Sequence, residues 1–235
     1  MIMISIRQEP LALSANMRRA QHCLQFVKDS SRCYVAGNDL LTAFFDQPQL
    51  STVLGRKTTD FFDDEIVRRY DRLDAEISSG RTIIDRFDFT RTPDGSAGWY
   101  LYARSRMEQA GGQFVRGISF PLPDYAHSDR IYTRLARATD VIAATLDEAL
   151  DFQSLATDLE CSIAQLDRDF KRVLGQSPKR YRSRLRVQRA IDAIRAGQSL
   201  TEAAHESGFS EHSALSRAFK DITGLTPKGF RATLS

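Results

Sequence analysis

Six cations stand within eleven consecutive positions and no acid interrupts them: Lys179, Arg180, Arg182, Arg184, Arg186 and Arg189. Such a run either neutralises phosphates or forms a solvated helix face, and the first option brings nucleic acid into view as a partner. The charge is unevenly divided along the chain. Residues 1 to 129 carry 16 Lys and Arg against 17 Asp and Glu, a net −1, whereas residues 130 to 235 carry 17 against 13, a net +4. Other chemistry finds little material. Cys23, Cys33 and Cys161 include no C-x-x-C pair, and His22, His127, His205 and His212 include no H-x-x-x-H spacing, so no metal site is expected. No G-x-S-x-G, Walker loop, H-E-x-x-H or dinucleotide fingerprint occurs, so the chain is not read as an enzyme.

The cations lie inside a duplication. Leu166, Arg168, Phe170-Lys171, Gly175, Pro178 and Tyr181-Arg182 return 49 residues later as Leu215, Arg217, Phe219-Lys220, Gly224, Pro227 and Phe230-Arg231. Ala156 and Ser162 return at an offset of 48 as Ala204 and Ser210, which implies one inserted residue in the second copy's turn. Each copy reads as helix, tight turn, helix. Ser162-Ile163-Ala164-Gln165 and Ser199-Leu200-Thr201-Glu202 are capping boxes, Ser210 reads as an N-cap, and Gly208 permits a left-handed turn. Ile163, Leu166, Phe170 and Val173 form the apolar side of one second helix, and Leu215, Phe219 and Ile222 that of the other. Ala164, Asp167 and Arg168 then lie on the face neighbouring the first core, and His212, Ser213, Ser216 and Arg217 point away from the second. Between the copies, Ser177 and Pro178 suit N-cap and N1 and Gly197 suits a C′ stop, giving one helix of about 19 residues, roughly 28 Å long. That is close to the roughly 34 Å between successive major grooves on one face of B-DNA.

On these residues the region from 130 to 235 resembles the AraC/XylS family of transcription regulators, most specifically in Gly208-Phe209-Ser210, Leu215 to Lys220, Gly224, Thr226-Pro227 and Phe230-Arg231. The resemblance implies an all-α domain of a first helix-turn-helix (152–174), a linker helix (178–196) and a second helix-turn-helix (200–223). It also implies double-stranded DNA and RNA polymerase as partners, and an activator. The base-reading candidates it carries over are Ala164, Asp167, Arg168, His212, Ser213, Ser216 and Arg217, and the phosphate candidates are Lys171, Lys179, Arg180, Arg184 and Lys220. Arg168 and Arg217 stand out because a guanidinium bonds guanine O6 and N7 bidentately. Asp167 gains at DNA only by accepting from cytosine N4, and otherwise orients a neighbouring arginine.

The first half is α+β. Residues 1–30 read as an N-terminal helical segment. Strands are expected at 32–36, 83–90, 99–107 and 114–122 and helices at 40–45 and 63–79, with turns at Pro93-Asp94-Gly95-Ser96 and Gly111-Gly112. Over 31–122 this resembles the PAS superfamily of sensors, through Leu54-Gly55-Arg56, Asp60-Phe61-Phe62, Trp99-Tyr100-Leu101 and Gly117-Ile118-Ser119. Such a domain implies a homodimer contact and room for a small organic effector, with no resident cofactor; an α+β dimerisation module without a ligand is the alternative. Prolines 121 and 123 mark a linker at 123–129, and a helix over 128–146 joins the halves. With 42% hydrophobic residues and no apolar run near the 20 needed to span a bilayer, the chain is expected to fold into two domains in the cytoplasm. The reading is a sequence-specific regulator of transcription. The alternative is an interaction module whose DNA-binding region has degenerated, because Ala164 is small and Asp167 is acidic.

Overall fold

The computed structural model describes residues 23–91, 96–109, 112–123 and 128–234. The expected turn at 93–95, most of the linker and the first 22 residues of the N-terminal segment lie outside them. Five strands, β1 (Leu24–Lys28), β2 (Tyr34–Gly37), β3 (Ile83–Arg91), β4 (Ala97–Gln109) and β5 (Gly112–Pro121), form one antiparallel sheet in the order β2-β1-β5-β4-β3. Helices α1 (Asp39–Phe44) and α2 (Asp64–Ser78) and two short 3-10 turns connect β2 to β3. The architecture is therefore α+β, with the sheet in the first half and helices in the second.

One expectation fails at the start. Residues 24–28 are not helical: Leu24, Phe26 and Lys28 alternate inward along β1, which pairs with both β2 and β5, so the sheet begins before residue 31. Lysine at an inward position hides the alternation. Its ammonium is held by Asp74 Oδ2 at 2.7 Å and donates to Thr58 Oγ1 at 2.9 Å, 4.8 Å from the Tyr34 ring centre. The other Asp74 oxygen accepts from Arg104 at 2.8 Å, so one buried carboxylate on α2 serves cations from two strands. Burying charge is tolerated only where such pairing replaces water. Val67, Tyr70, Asp74 and Ile77 share the side of α2 that faces the sheet.

The second half is helical: α3 (Ser128–Ala144), α4 (Phe152–Asp158), α5 (Ile163–Leu174), α6 (Pro178–Arg195), α7 (Leu200–Glu206), α8 (His212–Thr223) and α9 (Pro227–Ala232). The duplication is visible in its geometry. Asp151 caps α4 and Ser199 caps α7; Gly175 and Gly224 end α5 and α8 at φ 69° and 79°; Ser177-Pro178 and Thr226-Pro227 open α6 and α9. Phe170 meets Tyr181 at 5.6 Å between ring centres, and Phe219 meets Phe230 at 5.6 Å. The inserted residue falls between 208 and 211, so the position of the Ser162 cap passes to Glu211. Contrary to expectation, Ser210 is not the N-cap of α8, and Glu211, which is, makes no side-chain cap bond.

The halves share one core. Ile84, Phe87, Leu101 and Ala103 of the sheet pack with Tyr132, Leu135 and Ile142 of α3 and with Leu166, Phe170, Tyr181 and Leu185 of the helical half. Polar contacts tie α6 to the start of β3: Tyr181 donates to the Asp85 carbonyl at 3.2 Å, Arg184 pairs with Asp85 at 2.7 Å, and Asp192 accepts from the backbone N–H and the hydroxyl of Thr82, both at 2.9 Å. Asp85 sits at a register shift in β3 with φ 49°.

Asp192 makes this junction pH-sensitive. Burial pushes its carboxyl up to about 6, against bonds from Gln188 and Thr82 and the charge of Arg195, which favour the anion. A carboxyl with a raised folded pKa stabilises most fully below its unfolded value near 4, and that contribution is lost as pH rises through about 6. Asp192→Asn mimics the neutral form. Urea titrations between pH 5 and 8 are expected to show the variant about 2 kcal/mol more stable at pH 8 and without the wild type's decline between pH 5 and 7. Parallel curves for the two proteins would refute this.

Candidate DNA interface

The exposed sides of α5 and α8 carry the side chains expected to meet bases. Ala164 and Arg168 on α5, and His212, Ser213 and Arg217 on α8, are exposed, while Asp167 and Ser216 are half-buried. The helices are positioned from beneath. Leu166, Phe170 and Leu174 anchor α5, and Leu215 and Phe219 anchor α8, with Arg168 and Arg217 on the sides opposite these anchors.

Local bonds shape what each group offers. Asp167 pairs with Lys171 at 2.6 Å, so the acid does not orient an arginine and instead offsets a cation read as a phosphate contact. The Ser162 hydroxyl accepts from the Gln165 backbone N–H at 3.1 Å, but the Gln165 side chain does not complete a capping box. It reaches forward, donating to Asp169 at 2.7 Å, and accepts from Arg168 at 2.6 Å. Ser213 donates to Glu211 at 3.0 Å.

The cationic run largely turns away from solvent. Arg184, read as a phosphate contact, has a side chain only 14% exposed and is paired to the fully buried Asp85, so it is withdrawn from that role. Arg182 donates to the carbonyls of Thr145 and Glu148, Arg186 donates to the Leu146 carbonyl at 2.8 Å, and Arg189 pairs with Asp147. These arginines therefore bind the segment after α3, where chain-end carbonyls lack helical partners. Lys179 and Arg180 remain exposed at the first turn of α6, as do Lys171 and Lys220 near the ends of α5 and α8. Arg180 reaches Asp221 of α8 at 2.9 Å. The sequence displays charge but not its partners, and those of Arg182, Arg184, Arg186 and Arg189 lie 34 to 99 positions away.

Within the sheet half, Phe26, Tyr34, Tyr70, Tyr100, Tyr102 and Arg104 are among the residues lining a cavity of about 30 Å³. That is room for a water molecule, well short of the roughly 300 Å³ at which drug-sized ligand sites begin. Among the described residues, no helix is long and apolar enough to cross a membrane.

Comparison with known proteins gives a family match within the helical half and a relative whose match is longer than that half. The family described as "Helix-turn-helix domain" matches residues 155–233. An AraC-like transcription regulator of Streptomyces antibioticus is 36% identical over 147 residues, which are 62% of this chain and 40% of that protein. The HTH-type transcriptional regulator GbdR of Pseudomonas aeruginosa is 30% identical over 99 residues, 42% of this chain and 27% of its own length. The chain thus spans less than half the length of either relative. A solved AraC-type DNA-binding protein from Chromobacterium violaceum, at 28% identity and a TM-score of 0.41, covers 44% of this chain and 93% of its own. Residues 155–233 match the helix-turn-helix domain family, and part of the chain is similar in sequence to AraC-like transcription regulators.

Proposed function

We propose that the chain is a sequence-specific DNA-binding regulator of transcription that sets α5 and α8 in two successive major grooves and is controlled through its sheet domain. The observation that carries this is the repeated geometry. Two helix pairs, whose second helices stand 49 residues apart and end on left-handed glycines, present Arg168 and Arg217 at the same exposed position of those helices. The 18 residues of α6 between them span about 27 Å. Arg168 and Arg217 read bases, with Ala164, Asp167, His212, Ser213 and Ser216 beside them, while Lys171, Lys179, Arg180 and Lys220 hold phosphates.

Control through a PAS-like sheet domain is supported by the bonds from β3 to α6, because any shift at residues 82–85 acts on the helix that carries both reading units. An effector acts only through different affinities for two such arrangements, and an organic one must enlarge the cavity that lies against Arg104. Dimerisation through the sheet and activation by contact with RNA polymerase complete the reading.

Selection of bound sequences from a random duplex library tests it. Two short enriched blocks about one helical turn apart are expected, one degraded by Arg168→Ala and the other by Arg217→Ala. Loss of a bidentate base contact by Arg217→Ala is expected to weaken the selected site by roughly 1–3 kcal/mol and to leave nonspecific duplex binding nearly unchanged at matched salt. Equal losses on both DNAs place Arg217 at a phosphate. No enrichment at low salt favours an interaction module.

A further inference from the structure

We propose that Gln165 is a positioning residue for Arg168, fastening the first reading arginine to α3 through Asp169 and Arg134. This rests on the reading of Arg168 as a base contact. The bonds run without a break. Arg134, on α3, pairs with Asp169 Oδ2, and both side chains are nearly buried, at 10% and 4% exposure. Asp169 Oδ1 accepts from Gln165 Nε2 at 2.7 Å, and Gln165 Oε1 accepts from Arg168 at 2.6 Å.

The arrangement solves a problem for an exposed reader. A long arginine side chain loses rotamer freedom when it docks on a base, and a side chain ordered beforehand loses less. Gln165 takes one of five guanidinium N–H donors and leaves the others for the base. Glutamine suits the task because its amide is acceptor and donor at once, so it links a cation to a carboxylate. Asp169 has no freedom to let go, since its second oxygen is committed to Arg134 in the core.

The duplication supplies an internal contrast. The second copy has Ala214 and Ala218 where the first has Gln165 and Asp169, so Arg217 has no holder of this kind. The two reading units are thus unequal: the first is preset from α3, the helix that also packs on the sheet, and the second is not.

The test uses the full chain and the selected duplex. Arg168→Ala first identifies the base pair that Arg168 discriminates. Gln165→Leu retains the backbone N–H that Ser162 caps and nearly the same size, and it is expected to lose about tenfold in discrimination at that pair. Its discrimination at the pair read by Arg217 and its affinity for nonspecific duplex stay within twofold of wild type. Gln165→Asn keeps the amide but is one methylene too short, and gives the same position-specific loss, so the result does not depend on one variant's folding. Unchanged discrimination in both variants overturns the proposal, as does a uniform loss at every position, which a merely structural glutamine would give. If Arg168→Ala alters no base preference, it is the base-contact reading that fails.

Discussion

Gly208→Ala is expected to destabilise the protein by about 2–5 kcal/mol and to abolish recognition by α8 while sparing α5. Two costs add at this position. The backbone is left-handed, at φ 74°, where a side chain costs about 1–2 kcal/mol. A Cβ would also lie 2.2 Å from the Leu146 carbonyl oxygen and 3.1 Å from Arg186 Nε, and forcing an atom into such a contact costs typically 1–3 kcal/mol. The obstacle is backbone that Arg186 holds in place, not the end of a side chain free to swing away. The equivalent turn of the first copy is the control. Glu160 is likewise left-handed, at φ 53°, so the turn itself accepts a side chain. Glycine is needed at 208 because this turn abuts the Leu146 carbonyl, whereas Glu160 is exposed. In thermal unfolding Gly208→Ala is expected to lower the Tm by roughly 5–15 °C and to erase the sequence block read through Arg217. Glu160→Gly is expected to change stability by less than about 1 kcal/mol, because relief of strain is offset by freedom gained in the unfolded chain. A Gly208→Ala protein that melts with the wild type and selects both blocks would contradict this account.

The comparison of these turns shows which signals the sequence carries openly. Caps act within three or four residues, so Ser177, Ser199, Gly197 and the repeated Gly175 and Gly224 could be read directly, and with them the helices they bound. Apolar periodicity is equally local and placed Leu166, Phe170, Leu215 and Phe219 in the core. Apart from the Ser210 cap, displaced one position by the inserted residue, failures came where a polar residue has a distant partner. Lys28 breaks the alternation of β1 because Asp74 lies 46 positions ahead, and without that pairing an inward lysine argues against a strand. The arginines of α6 looked like one basic face because the carbonyls and carboxylates that bind them belong to the segment after α3 and to β3. Gln165 was recognisable as an N3 glutamine but not as the holder of Arg168, since backward and forward hydrogen bonding are both open to it and the buried Arg134–Asp169 pair decides between them.

The same distance effect makes Arg184 more consequential than its place in a charge run suggested. Arg184→Ala is expected to cost about 3–5 kcal/mol, the penalty for removing one partner of a buried ion pair and leaving the other charge in the core. Asp85 is fully buried, and its left-handed backbone sits at the register shift of β3, so it cannot turn outward to recover water. The loss falls on the junction between sheet and α6. Asp85→Asn combined with Arg184→Met is therefore expected to regain most of the stability, because asparagine is neutral and tolerates the left-handed conformation while methionine fills the space of the arginine stem. Binding separates this role from phosphate contact. A residue on DNA would weaken the affinity of every duplex and flatten its salt dependence, with rescue impossible from a partner in the sheet. At a temperature where both proteins are folded, the double variant is expected to bind nonspecific duplex with the salt slope of the wild type. A slope reduced by about one unit in both the single and the double variant would return Arg184 to the phosphate backbone and sever the proposed route from the sheet to the reading helices.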